Sequence, residues 1–234
     1  MKKIELVKRL GKYPLFTLND FARITGGSPE YCRVSLYRLK REGLVFRVER
    51  GKYTAFDDPM VFASHIVVPS YISFWTALRF YNLTEQLPLD IMVASPKTRK
   101  NLEFRGTKIR FFKSRELWGY RKQRYGGFDI FVAEPEKAIV DSLLLRNTPF
   151  DEIAKAIFSK GVDEKRLAGY ALRTGNGSLA KRLGCLMEAA DLDASALAKD
   201  LDSNYVPLDW AMGKKGKRIG RWRVIKNRRL DDIG

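Results

Sequence analysis

Hydrophobic spacing changes period several times along the chain, and each change marks an element. Ile4, Val7 and Leu10 recur at helical spacing over residues 2–10, and Gly11 stops the run. Thr17 with Asp20 three residues later reads as a capping box. It opens a second helix through Phe21, Ala22 and Ile24 that ends at Gly26-Gly27. Ser28-Pro29 places an N-cap before a first-turn proline, and the helix it opens runs to Gly43. Residues 44–48 and 52–56 are short β-rich runs around Glu49-Arg50-Gly51, which is a hairpin signal. At about 100° per residue the third helix turns Cys32, Leu36 and Leu39 inward. Its opposite face carries Glu30, Val34, Tyr37, Arg38 and Arg41, with Tyr31 and Arg33 on the flanks.

Asp57-Asp58-Pro59 reads as the exit from the hairpin into a short linker. Beyond it the spacing predicts a helix over residues 70–81 bearing Ile72, Trp75, Ala77, Leu78 and Tyr81. A buried strand is expected over residues 90–95, with further strands over 108–112 and 128–132. From Pro135 the period is helical, predicting helices over 136–145, 150–158, 164–173, 178–190 and 195–201. The tail, residues 213–230, sets Trp222, Val224 and Ile225 inside a basic run, which predicts a terminal strand or arm docked on the domain. Three short helices and a basic hairpin within the first 57 residues describe a winged helix-turn-helix. The expected class is therefore α+β: that winged helix-turn-helix at residues 1–57, then a larger mixed α/β C-terminal domain at 60–234 with a basic arm.

Charge sharpens the picture. The 234 residues hold 44 Lys+Arg against 27 Asp+Glu, a formal net charge of +17 that calls for a polyanionic partner. The surplus is segregated. Residues 1–56 carry 13 basic and 5 acidic side chains, residues 97–125 carry 11 and 2, and residues 213–229 carry 9 and none. A lysine-rich solvated surface explains abundance but not three blocks. In the first block an outward helix face of Arg and Tyr suits the major groove, where arginine bonds guanine in bidentate fashion. The candidate DNA-contacting set is Ser28, Tyr31, Arg33, Val34, Tyr37, Arg38 and Arg41 on the helix, with Arg47, Arg50 and Lys52 on the hairpin. The other blocks nominate a second nucleic-acid surface, DNA or RNA, at Arg121, Lys122, Arg124, Lys214, Lys215 and Lys217. Trp118, Tyr120 and Tyr125 interleave with the cations of the second block. They suit either base stacking or sheet packing under snorkelling cations.

Catalytic patterns are few. Gly177-Ser178 ahead of Asp191-Leu192-Asp193 approaches a nucleotidyltransferase template, yet the aspartates follow a helical pattern and read as loop and cap residues. Asp129 with Glu134-Pro135-Glu136-Lys137 approaches a nuclease motif but misplaces the lysine, and the glutamates read as a negative first helical turn. His65 is the single histidine, and Cys32 and Cys185 lack partners at metal-ligand spacing. No cofactor, metal or catalytic residue is expected, nor a membrane partner. No apolar run approaches the roughly 18 residues of a spanning helix, and no signal-peptide core follows Met1-Lys2-Lys3, so the expected compartment is the cytoplasm.

Several segments carry packing patterns that belong together: Tyr71-Ile72-Ser73-Phe74-Trp75-Thr76-Ala77-Leu78 followed by Leu83-Thr84-Glu85-Gln86, then Gly106-Thr107-Lys108-Ile109-Arg110-Phe111. Glu134-Pro135-Glu136-Lys137-Ala138-Ile139-Val140-Asp141 and Lys181-Arg182-Leu183-Gly184-Cys185-Leu186-Met187-Glu188 extend them over nearly the whole chain. Together they resemble the AbiEi-type antitoxins, transcriptional regulators of viral defence systems. The resemblance implies a winged helix that represses the antitoxin–toxin operon, and a C-terminal domain that neutralises a nucleotidyltransferase-type toxin without a stable complex. It carries over no catalytic residue. The alternative is a nucleic-acid-processing enzyme, nuclease or nucleotidyltransferase, targeted by the winged helix.

Overall fold

The computed structural model describes residues 3–159 and 161–231. The chain opens with α1 (Lys3–Leu10), β1 (Phe16–Thr17), α2 (Leu18–Thr25) and α3 (Pro29–Arg41), then the hairpin β2 (Phe46–Glu49) and β3 (Lys52–Thr54). The helix start expected at Lys2 lies outside the described residues. Thr17 and Asp20 close the expected capping box: the Thr17 hydroxyl accepts the Asp20 amide at 3.2 Å and the Asp20 carboxylate accepts the Thr17 amide at 2.8 Å. Ser28 caps α3 by accepting the Tyr31 amide at 3.3 Å. These helices bury Leu6, Leu10, Phe16, Phe21, Cys32, Leu36, Leu39 and Val45 in one core. β1, two residues long and too short for any periodicity to register, pairs antiparallel with β3 and makes a three-stranded sheet in the order β1-β3-β2.

Next come β4 (Tyr71–Ile72), α4 (Phe74–Phe80), β5 (Asp90–Ser95), β6 (Leu102–Phe104), β7 (Thr107–Lys113), β8 (Tyr120–Tyr125) and β9 (Phe128–Ala133). They form a six-stranded mixed sheet in the order β6-β7-β5-β4-β9-β8. β5 runs parallel to β7 with Ile91 opposite Ile109 and Val93 opposite Phe111. The helix expected over residues 70–81 is corrected. Tyr71 and Ile72 are strand, both antiparallel to β5 and Ile72 also parallel to Val132 of β9, and the helix begins only at Phe74. Both side chains are fully buried, and strand pairing gives their backbone groups partners as a helix would. β6 and β8 are strands that periodicity did not expose, the first for its length and the second because basic residues fill its sequence.

The remaining elements are α5 (Pro135–Leu145), α6 (Phe150–Phe158), α7 (Glu164–Arg173), α8 (Gly177–Ala189), β10 (Val206–Pro207), β11 (Lys217–Ile219) and β12 (Val224–Lys226). β12 lies between the other two strands, parallel to β10 and antiparallel to β11. Trp222 is fully buried, so the tail is docked as expected. The helix expected over 195–201 is only a 3-10 turn at Ser195–Ala198. Beyond it Lys199 and Asp200 form a turn with Asp200 in the left-handed region, which ends the helical path, and the buried Lys181 amine meets the Asp202 carboxylate at 2.8 Å and the Asn204 carbonyl at 2.6 Å. By packing, the chain forms two compact units. The first comprises Met1–Ile72, Leu89–Leu117 and Lys122–Val132; the second comprises Ser73–Pro88, Trp118–Arg121 and Ala133–Gly234. The class is α+β.

Candidate nucleic-acid interface

In the first unit, α3 turns Cys32, Leu36 and Leu39 into the core and leaves the opposite face in water. Tyr31 and Val34 are each 50% exposed and Tyr37 is 61% exposed, large apolar surfaces that folding alone leaves uncovered. Arg33, Arg38 and Arg41 are exposed beside them, as is Ser28 at the helix start. Arg33 stands 3.8 Å from Glu30, and among the described residues no carboxylate pairs with Arg38 or Arg41. A cleft of about 340 Å³ runs between this helix and the hairpin, lined by Leu18, Arg33, Leu36, Tyr37, Lys40, Arg47 and Tyr53. Lys40 belongs to this wall although sequence reasoning missed it. Its spacing of three from Tyr37 and seven from Arg33 is the signal that could have found it.

The hairpin divides its cations by role. Arg47 and Arg50 are exposed, and Arg47 Nε donates to the Glu49 carbonyl at 3.3 Å. Lys52 is half-buried, 3.0 Å from the Glu49 carboxylate, and donates to the Ile66 carbonyl. Glu49 also receives Arg99 at 2.6 Å. Burial works to raise the Glu49 carboxyl, but hydrogen bonds from Arg99 and Lys52 outweigh it and hold its pKa below the ordinary value. Lys52 thus anchors the hairpin to its own unit.

In the second basic block, Lys122 and Arg124 lie exposed on β8 and share Asp129, at 3.2 and 3.0 Å. Those two hydrogen bonds, Arg124's first, hold the Asp129 carboxyl below its ordinary pKa. Arg121, in the second unit, stands 4.0 Å from Glu134. The aromatics of this block serve packing. Trp118 takes the Lys137 amine at 4.4 Å and the Arg173 guanidinium at 4.3 Å from its ring, with Tyr170 edge-on at 5.0 Å. The Tyr125 hydroxyl donates to Asp58 at 2.7 Å, and burial together with that bond pushes its pKa up to about 12. Lys214, Lys215 and Lys217 are exposed together in the second unit, at the approach to β11.

The acidic patterns do not assemble. Gly177-Ser178 forms the first turn of α8 and Asp191 and Asp193 follow its far end, so some 13 residues of helix, about 20 Å, separate groups that the template needs face to face. Asp193 instead accepts the Ser195 amide at 2.9 Å. Glu136 is buried and accepts the Asp163 amide at 2.9 Å, while Lys137, also buried, pairs with Asp141. The His65 ring bonds the Asp129 carbonyl at 2.9 Å as a structural residue. Among the described residues no helix is long and apolar enough to cross a membrane.

Comparisons with known proteins bear on the fold and on this face. The structure is similar to that of the RV2827C protein from Mycobacterium tuberculosis, with a TM-score of 0.67 over 97% of this chain and 92% of that one. Sequence identity is 13%, so the likeness speaks to the fold alone. A comparison with curated proteins gave no match. Residues 5–55, which hold α2, α3 and the hairpin, match the family model described as a transcriptional regulator, AbiEi antitoxin. The resemblance to the AbiEi antitoxin regulators that the sequence suggests is supported, over these residues, by that match.

Proposed function

We propose that the chain is a cytoplasmic DNA-binding repressor that serves as the antitoxin of a type IV toxin–antitoxin system. In this reading residues 1–57 act as a winged helix-turn-helix, with α3 in the major groove and the β2–β3 hairpin along the backbone. Residues 60–234 counter a nucleotidyltransferase-type toxin, and the repressor controls its own operon. The observation that carries the reading is the solvent face of α3, where Tyr31, Val34 and Tyr37 stand uncovered among Arg33, Arg38 and Arg41 inside the segment matched to a regulator family. Arginines on such a face can form bidentate bonds to guanine while tyrosines and the hairpin meet phosphates.

Gel-shift titration against the DNA upstream of the protein's own gene tests it. Arg38→Ala and Arg33→Ala should each weaken specific binding by roughly 1–3 kcal/mol, or about 5- to 150-fold, if each reads a base. Arg50→Ala should weaken specific and random DNA alike and flatten the salt dependence. Wild-type affinity in all three variants would overturn the DNA reading. The antitoxin half has a separate assay: co-expression with a cognate nucleotidyltransferase should restore growth, and unrelieved toxicity removes that half alone.

A further inference from the structure

The second unit carries a cationic surface that DNA reading by α3 leaves unused. Residues 210–230, around the sheet of β10, β12 and β11, hold nine Lys and Arg and no carboxylate. Among the described residues, carboxylates pair with only two of the nine, Glu188 with Arg221 at 2.6 Å and Asp151 with Arg228. Lys214, Lys215, Lys217 and Arg218 are exposed side by side in sequence, where they repel one another.

This segment is pinned in place. Asn227 Nδ2 donates to the carbonyls of Asp209 and Gly213, each at 2.8 Å. Gly216 lies so close to the Lys226 carbonyl that a Cβ would overlap it. Trp222 is sunk against Gly184 of α8 and donates its indole N–H to Glu188. Beside the lysines, the Arg218 and Arg223 guanidiniums lie 5.1 and 5.9 Å from the centre of the half-buried Tyr205 ring. The result is a run of exposed cations on a held backbone, with two guanidiniums clustered about the Tyr205 ring in the same small sheet.

We propose that this face binds single-stranded RNA. Its cations complement a phosphodiester chain, and phosphate contacts relieve the repulsion that the pinned loop stores. A duplex would offer the face phosphates and base edges but no open base plane, because its bases are stacked inside. The Tyr205–Arg218–Arg223 cluster favours a single strand, whose unstacked bases lie on aromatic rings and guanidinium planes.

The test uses the full chain and fluorescence anisotropy with two probes, a labelled oligouridine RNA and a random-sequence DNA duplex. The RNA is roughly 20 nucleotides long, more than the ~4–16 of a typical single-strand site. The triple variant K214Q/K215Q/K217Q should lower RNA affinity and reduce the slope of log K against log salt by roughly 2, about 0.7 for each phosphate contact. R218A should lower RNA affinity with a smaller change of slope, as loss of a stacking plane requires. Near-UV circular dichroism of buried Trp222 should match the wild type in both, since all four side chains are exposed. RNA affinity and slope at wild-type values in both variants overturn the proposal, and so does a loss confined to the duplex. α3 takes no part in these variants, so its DNA reading can fail or stand independently.

Discussion

Gly184 occupies the middle of α8, where glycine costs about 1 kcal/mol relative to alanine, and the ring of Trp222 fills the space its missing side chain leaves. Gly184→Ala should therefore destabilise despite the better helix propensity. Overpacking against a buried indole should cost about 1–3 kcal/mol, which a lower urea midpoint with an unchanged slope would reveal. A rise in stability would mean that Trp222 moves aside freely. The sequence marks both residues as odd, a glycine inside a helical pattern and a tryptophan inside a basic run. It does not mark them as partners, because nearly forty positions separate them. Lys137 teaches the same lesson. Beside Glu134 and Glu136 it resembles a misplaced catalytic lysine, yet it is fully buried and paired with Asp141, whose other oxygen accepts the Ser73 hydroxyl at 2.7 Å. Burial, which decides between those two roles, is a property of the fold.

Among the elements, α2 and α3 follow most directly from local chemistry. Their caps close through side chains within three residues, and such bonds form whatever the rest of the chain does. Thr17→Ala should cost about 1 kcal/mol by removing the cap of α2. Asp20 adds a pH dependence to the same cap. Burial tends to raise its pKa, but the Thr17 hydrogen bonds and the Arg23 cation outweigh this and hold it below the ordinary 3.8. Its folded pKa is the lower one, so its stabilising contribution is complete above about 3.8 and is lost as the pH falls through the depressed value. Asp20→Asn should thus lower the denaturation midpoint at neutral pH and narrow the gap to wild type in strong acid. An equal gap at both pH values would show that the carboxylate's charge contributes nothing. Strands were less legible than helices. β4 is two residues long and owes its conformation to β5 and β9, and β8 hides under Arg121, Lys122 and Arg124.

At the scale of the molecule, the charge blocks of residues 1–56 and 213–229 belong to different units, which predicts separable nucleic-acid binding. Arg33→Ala combined with Arg38→Ala should remove specific duplex binding and leave oligouridine binding at the wild-type value, while the Lys214, Lys215 and Lys217 substitutions should do the reverse. Anisotropy titrations of both variants with oligouridine and with a duplex of the DNA upstream of the protein's own gene check this, and parallel losses on both would mean one shared surface. In the block at residues 97–125, the exposed Lys122 and Arg124 share Asp129, while Trp118 packs against Lys137 and Arg173. By itself the sequence determined whatever depends on neighbours a few positions apart: the three N-terminal helices and their stops, the two faces of α3, the helical second half and the segregation of charge. Only the tertiary structure decided what depends on segments distant along the chain. That includes the strand at Tyr71-Ile72, the anchoring of Lys52 on the Ile66 carbonyl and the distance between Gly177-Ser178 and Asp191. The reason is that capping and helical periodicity are settled within one or two turns, whereas sheet pairing, burial and ion pairing require partners that only folding brings together.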